Sequence, residues 1–189
     1  MSVIGSLSLL PNLITLARLL AVPVTVYLLL ESAYTAAFWV FVAAGLSDAL
    51  DGYLAERLNA HSRIGAFLDP LADKTLIVGV FVTLGYIGHV PVWLVMLIAF
   101  RDLLIIGGAL LFHTMTHSLK MAPLTISKLN TAAQIALAAV VLAELGLRLS
   151  VPYLSPALTY FVGATTFVSG AAYVVKWGRL AVTLEQDDQ

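Results

Sequence analysis

Polar positions in this chain are sparse and grouped, and the stretches between them are long and apolar. Residues 2–9 form a short apolar stretch of the kind that lies in a membrane interface. Six longer runs follow, at about 11–30, 34–59, 65–87, 91–113, 126–147 and 153–178. Each has the length, roughly 17–25 residues, that carries an α-helix across a bilayer. The punctuation agrees with these limits. Pro11 sits where a helix opens, Gly88 and Pro91 close the third run, and Val151-Pro152 precede the sixth. The runs are too long for strands, and no alternation of about ten residues suggests a barrel. The expected fold is an all-α integral membrane protein. It has six transmembrane helices after a short N-terminal interfacial helix, in a single membrane domain over 1–189.

Composition explains why lipid is the solvent. Only 11% of the 189 residues are charged, 60% are hydrophobic, and mean hydropathy is +0.96. A soluble domain carries about 25% charged residues, so this chain lacks the charge to cover a water-facing surface. A net charge of −1 argues against a nucleic-acid partner. The absence of Cys excludes a disulfide framework or a thiolate site. The first apolar run lacks the basic leader of a secretory signal and is expected to be retained as a span.

The basic residues orient the bundle. Arg57, Arg63 and Lys74 lie around the connection between the second and third runs. Lys120 and Lys128 flank the one between the fourth and fifth, and Lys176 and Arg179 close the sixth. The other connections hold only Arg148. Cytoplasmic loops collect Lys and Arg, so both termini are expected in the cytoplasm.

Four acids fall near that cytoplasmic side: Asp48, Asp51, Asp69 and Asp73, within SDALDGYLAERLNAHSRIGAFLDPLADK. A carboxylate in a membrane helix is costly and marks a functional site by default. Asp48 and Asp51 are i, i+3 and Asp69 and Asp73 are i, i+4, so each pair shares a helix face. A short connection makes the two helices expected antiparallel neighbours, with the carboxylates converging. Such a cluster repels itself unless cations neutralise it. Hard divalent ions with oxygen ligands do so, and Mg²⁺ keeps room for substrate phosphates. Gly52, Ala55 and Gly65 leave room for a ligand beside the acids.

The acid segment resembles the signature of the CDP-alcohol phosphotransferases, with Asp48, Asp51, Gly52, Ala55, Gly65, Asp69 and Asp73 at matching positions. Glu56 stands where that family usually has Arg. The likeness covers nearly the whole chain. LPNLITLARLL matches a first helix at Asn12 and Arg18, and AFRDLLIIGGALL a fourth at Arg101-Asp102. PLTISKLNTAAQIAL and AAYVVKWGRL are similar to the branch of cardiolipin synthases of mitochondrial type. The competing branch, phosphatidylglycerophosphate synthase, usually carries a second Arg where Ala109 and Leu110 stand here.

What the resemblance implies is a phospholipid-synthesising transferase. It would move the phosphatidyl group of CDP-diacylglycerol onto phosphatidylglycerol, giving cardiolipin and CMP, with glycerol 3-phosphate as the alternative acceptor. Two divalent ions, Mg²⁺ or Mn²⁺, would be held by Asp48, Asp51, Asp69 and Asp73, with Asp73 as general base. Asn12, Gly52, Ala55 and Gly65 would bind the nucleotide, and Arg101, Lys128 and Arg18 the acceptor phosphate. The family likeness also implies a homodimer, for which Gly107-Gly108 offers a close-contact position.

Each weaker residue has a plainer reading beside this one. Arg101 sits near mid-span and needs either a ligand or an acid, for which Asp102 is at hand. Lys128 either binds phosphate or snorkels to the interface. Arg18 lies about 12 Å into its helix, which favours an inward role. Trp39, Trp93 and Trp177 read as interface anchors. A small cation transporter is the remaining alternative class, but its acids belong near the midplane at broken helices.

Overall fold

The computed structural model describes residues 9–58, 65–116, 124–149 and 151–187. Side chains are described there except at 9–13, 49–58, 65–71, 73, 112–113, 115–116 and 180–187. All regular structure among the described residues is helical. The elements are α1 (Leu9–Leu30), α2 (Tyr34–Leu58), α3 (Gly65–Tyr86), α4 (Val92–Thr116), α5 (Thr125–Gly146) and α6 (Leu154–Asp187). The interfacial segment expected at 2–9 lies, but for Leu9, outside the described residues.

Among the described residues, three helices contain a stretch long and apolar enough to cross a membrane: Val92–Leu111, Thr125–Gly146 and Leu154–Arg179. Shorter apolar stretches, Ile14–Leu30 and Lys74–Tyr86, lie in α1 and α3. Six full spans were expected. Ile14 and Lys74 are the residues from which the side chains of α1 and α3 are continuously described, so these two stretches are lower bounds.

The chain groups into two compact units, Met1–His89 with Ala138–Pro152, and Val90–Leu137 with Tyr153–Gln189. In the first, α1 packs against both α2 and α3. The closest described partner of α2 and of α3 is therefore α1, where the sequence suggested direct neighbours. Gly79 lets α3 approach α1: a Cβ there would stand 3.4 Å from Val22 Cγ1 and Val26 Cγ2. Leu29, Ala37, Phe41, Val80, Phe81 and Leu84 fill this core.

Helix ends in the first unit are closed by backbone capping. Ala33 N–H donates to Leu28 O at 2.8 Å around Ser32 at φ 59°, and His89 N–H to Leu84 O at 2.8 Å around Gly88 at φ 84°. Both are Schellman closures, in which a left-handed residue frees the last carbonyls to be capped. Tyr34 meets the His89 ring edge-on at 5.6 Å, and Thr35 Oγ1 donates to Gly146 O at 2.6 Å. The start of α2 and the ends of α3 and α5 thus meet at one end of the unit.

In the second unit α4 packs against α6. Aromatic rings lie over two glycines: a Cβ on Gly163 would meet the Trp93 ring at 2.9 Å, and one on Gly108 would collide with the Trp177 ring. Outward positions are large and apolar (Leu103, Ile106, Leu110, Phe167) while polar residues turn inward. Hydrocarbon as solvent demands that reversal, because polar groups must then be satisfied inside the protein.

Candidate functional site

The level of the four acids follows from the end where Tyr34 and His89 meet. Asp48 stands 14 residues along α2 from Tyr34, and Asp73 stands 13 residues before Tyr86 in α3. At a rise of roughly 1.5 Å per residue these are about 21 and 20 Å. Asp51 and Asp69 are each 17 residues away, about 25 Å. Both pairs therefore fall at matching heights at the far end of the unit. Each pair lies within one continuous helix, which keeps its two members on one face.

Asp48 is the one acid of the four whose side chain is described. Its Oδ1 receives Arg18 Nη1 at 2.8 Å. Arg18 stands 12 residues before Leu30, about 18 Å from the same end, so its level suits the partnership. The two side chains differ sharply in exposure, 1% for Arg18 and 47% for Asp48. Arg18 is a buried cation held by an acid that remains half open. The inward role expected for Arg18 is thus met by a protein carboxylate.

The side chains of Asp51, Asp69 and Asp73 lie outside the described residues, as do Asn12, Gly52, Ala55 and Gly65 beyond their place on helices. Among the described residues no three His, Asp or Glu side chains gather as a metal-binding group. The donor chemistry fits hard divalent ions: carboxylates in two same-face pairs at matching heights, one of them half open.

The second unit holds the other candidates. Arg101 on α4 is 4% exposed. Its Nε donates to Ser169 Oγ at 3.1 Å, Nη2 to Ser169 Oγ at 2.7 Å and to Ser127 Oγ, and Nη1 to Asp102 Oδ1 at 2.8 Å. Lys128, one residue past Ser127 in the first turn of α5, is exposed. Further along α5, Asn130 Oδ1 accepts from Thr165 Oγ1 at 2.9 Å and Thr166 Oγ1 at 2.8 Å. The sequence reading did not single out Ser127, Ser169, Asn130 or the two threonines. The available signal was a cluster of small polar residues, Thr165, Thr166 and Ser169, inside an apolar helix. A cavity of about 250 Å³ between α4 and α6 is lined by Leu97, Phe100, Thr166, Phe167 and the stem of Arg101.

Trp39 and Trp93 are exposed, as interface anchors would be. Trp177 departs from that expectation. It packs on Gly108 and Tyr173, with its indole N–H enclosed. Gly108 is thereby occupied within the chain, while Gly107 has open space beside it.

Comparison with known proteins adds the following. The family model described as CDP-alcohol phosphatidyltransferase matches residues 8–182. The chain is 34% identical over 193 residues to a human protein named cardiolipin synthase (CMP-forming), covering 94% of this chain and 64% of the relative. It is 34% identical over 181 residues to a Schizosaccharomyces pombe cardiolipin synthase (CMP-forming) / mitochondrial hydrolase fusion protein, covering 88% and 30%. A chloroplastic CDP-diacylglycerol--glycerol-3-phosphate 3-phosphatidyltransferase of Oryza sativa is 33% identical over 190 residues, covering 90% and 57%. The chain spans between about a third and about two thirds of the length of these relatives.

Proposed function

Because this chain belongs to the CDP-alcohol phosphatidyltransferase family, we propose that it moves the phosphatidyl group of CDP-diacylglycerol onto a hydroxyl of phosphatidylglycerol. The products are cardiolipin and CMP. The observation that carries this reading is the likeness, over about nine tenths of the chain, to relatives named cardiolipin synthase (CMP-forming). The rice relative supports a second reading, with glycerol 3-phosphate as acceptor. Family membership weighs against the cation-transporter alternative.

The chemistry falls to the acid end of the first unit. Asp48, Asp51 and Asp69, with Asp73, would hold two divalent ions, Mg²⁺ or Mn²⁺. Bound there, such ions supply charge stabilisation at the pyrophosphate and the departing CMP. Asp73 accepts the proton of the attacking hydroxyl as the new phosphorus–oxygen bond forms and the bond to CMP breaks. Asn12, Gly52, Ala55 and Gly65 line the nucleotide, and the small Gly52, Ala55 and Gly65 admit it close to the backbone. Arg18 fixes one oxygen of Asp48. Lys128, exposed at the start of α5, binds the acceptor phosphate, the role first read for Lys128, Arg101 and Arg18 together.

The protein works as a multi-pass membrane enzyme with its site and both termini on the cytoplasmic face, as a homodimer. Purified protein given CDP-diacylglycerol and each acceptor tests the reading. Cardiolipin from phosphatidylglycerol is expected, and product from glycerol 3-phosphate alone would replace the acceptor.

A further inference from the structure

The guanidinium of Arg101 is already committed. Arginine has five N–H donors, and four of those on Arg101 are engaged inside the protein, by Ser169 twice, Ser127 and Asp102. A strong grip on phosphate uses two parallel N–H bonds from one edge of the fork. The Nε/Nη2 edge faces Ser169, and the Nη1/Nη2 edge is divided between Asp102 and Ser127, so neither edge is open to a ligand. The side chain is also buried.

Its partners show what it does instead. Ser127 lies in the first turn of α5, where the N–H groups of Ser127 and Lys128 both point back to Leu124 O, at 2.9 and 3.4 Å. Ser169 lies on α6. Arg101 therefore joins α4, the start of α5 and α6 through one side chain. Asn130, one turn on, adds a second tie from α5 to Thr165 and Thr166. In lipid no hydrophobic force draws helices together, and small-residue packing and polar side-chain bonds serve as the glue. α4 and α6 have the packing, over Gly163 and Gly108. The start of α5 has the polar bonds.

We infer that Arg101 is a positioning residue: through Ser127 and Ser169 it holds the first turn of α5 in place, and so sets where Lys128 meets the acceptor phosphate. The inference rests on the acceptor role proposed for Lys128. It assigns Ser127 and Ser169 a part in acceptor affinity and removes Arg101 from direct contact.

The test is steady-state CMP release by the full chain in mixed micelles, with phosphatidylglycerol and glycerol 3-phosphate as parallel acceptors. Ser127→Ala and Ser169→Ala should each raise the acceptor KM about tenfold, the scale of one lost hydrogen bond to a charged group. The KM for CDP-diacylglycerol should stay within about twofold. Ser127→Thr and Ser169→Thr, which keep the hydroxyl, should restore the acceptor KM. Arg101→Lys keeps the charge without the fork and should behave like the alanine variants. In a Lys128→Met background, itself raised in acceptor KM, Ser127→Ala should add nothing. An Arg101→Lys enzyme with unchanged acceptor KM overturns the inference. So does an unchanged Lys128→Met enzyme, or a Ser127→Ala effect that multiplies with it. If only glycerol 3-phosphate is used, the acceptor reading falls, and the same KM pattern measured with that acceptor still decides the role of Arg101.

Discussion

Gly107 and Gly108 are adjacent on α4, yet alanine at the two positions should act with opposite sign. At Gly107 an added Cβ meets nothing within 4 Å. Gly107→Ala then gains only the helix preference of Ala over Gly, about 0.8–1 kcal/mol. At Gly108 the Cβ would enter the Trp177 ring. That ring is not free to yield, since it also packs on Tyr173 at 5.6 Å between centroids and its N–H is enclosed. Overpacking costs about 1–3 kcal/mol, and a Cβ placed inside a ring lies in the upper part of that range, about 2–3 kcal/mol, so after the helix gain Gly108→Ala should be destabilising by roughly 1–2 kcal/mol. For a chain of this size that is a fall in unfolding temperature of about 2–8 °C, against a rise of about 2–4 °C for Gly107→Ala. Thermal unfolding of the detergent-solubilised protein, followed by far-UV circular dichroism, reads both. Gly108 lies two turns from Arg101 on α4, and Trp177 lies eight residues past Ser169 on α6. A helix displaced at the first contact should therefore loosen the second, and Gly108→Ala should also raise the acceptor KM. Shifts of the same sign in the two variants would refute the assignment of Trp177 to Gly108.

Asp73→Asn should abolish turnover while CDP-diacylglycerol still binds, measured by equilibrium binding of labelled lipid; substantial residual turnover would remove Asp73 as the proton acceptor. Stripping divalent ions with a chelator should stop CMP release, and Mg²⁺ or Mn²⁺ should restore it. Chelator-insensitive turnover would dismiss the metal-binding role of the acids.

The helices were legible because each apolar run is bounded by local chemistry such as Pro11, Gly88 with Pro91, and Pro152. The ends ran further where no such stop exists. α6 continues to Asp187, past the expected 178, because the tail after Gly178 contains good helix formers such as Arg179, Leu180, Ala181, Leu184 and Glu185, with no further Gly or Pro. That Asp48 and Asp51 lie on one helix and Asp69 and Asp73 on the next was legible from the apolar runs. What spacing could not give is which groups from distant segments meet. Arg101 finds its serines 26 and 68 residues away, and Arg18 finds Asp48 across two helices. Trp177 sits near a span end like an interface anchor, but Gly108 offers it a seat that only the packing of α4 on α6 creates. Residues that read alike in sequence, a mid-helix Arg or a terminal Trp, were separated by tertiary contacts.

Two Arg–Asp pairs of equal length make that separation concrete. Arg18–Asp48 and Arg101–Asp102 both measure 2.8 Å, and both guanidinium groups are buried. An arginine keeps its charge, so burying one requires a fixed counter-charge, and each Asp supplies it. The acids differ in what remains open. Asp102 is 12% exposed, a closed partner whose work is structural. Asp48 is 47% exposed with Oδ1 taken by Arg18, so the buried cation orients a carboxylate that still faces outward. A ligand-binding acid needs both conditions: a fixed direction and open space in front of it. Distance does not distinguish the two pairs, whereas exposure does, and it marks as open the one acid that belongs to the four-carboxylate motif.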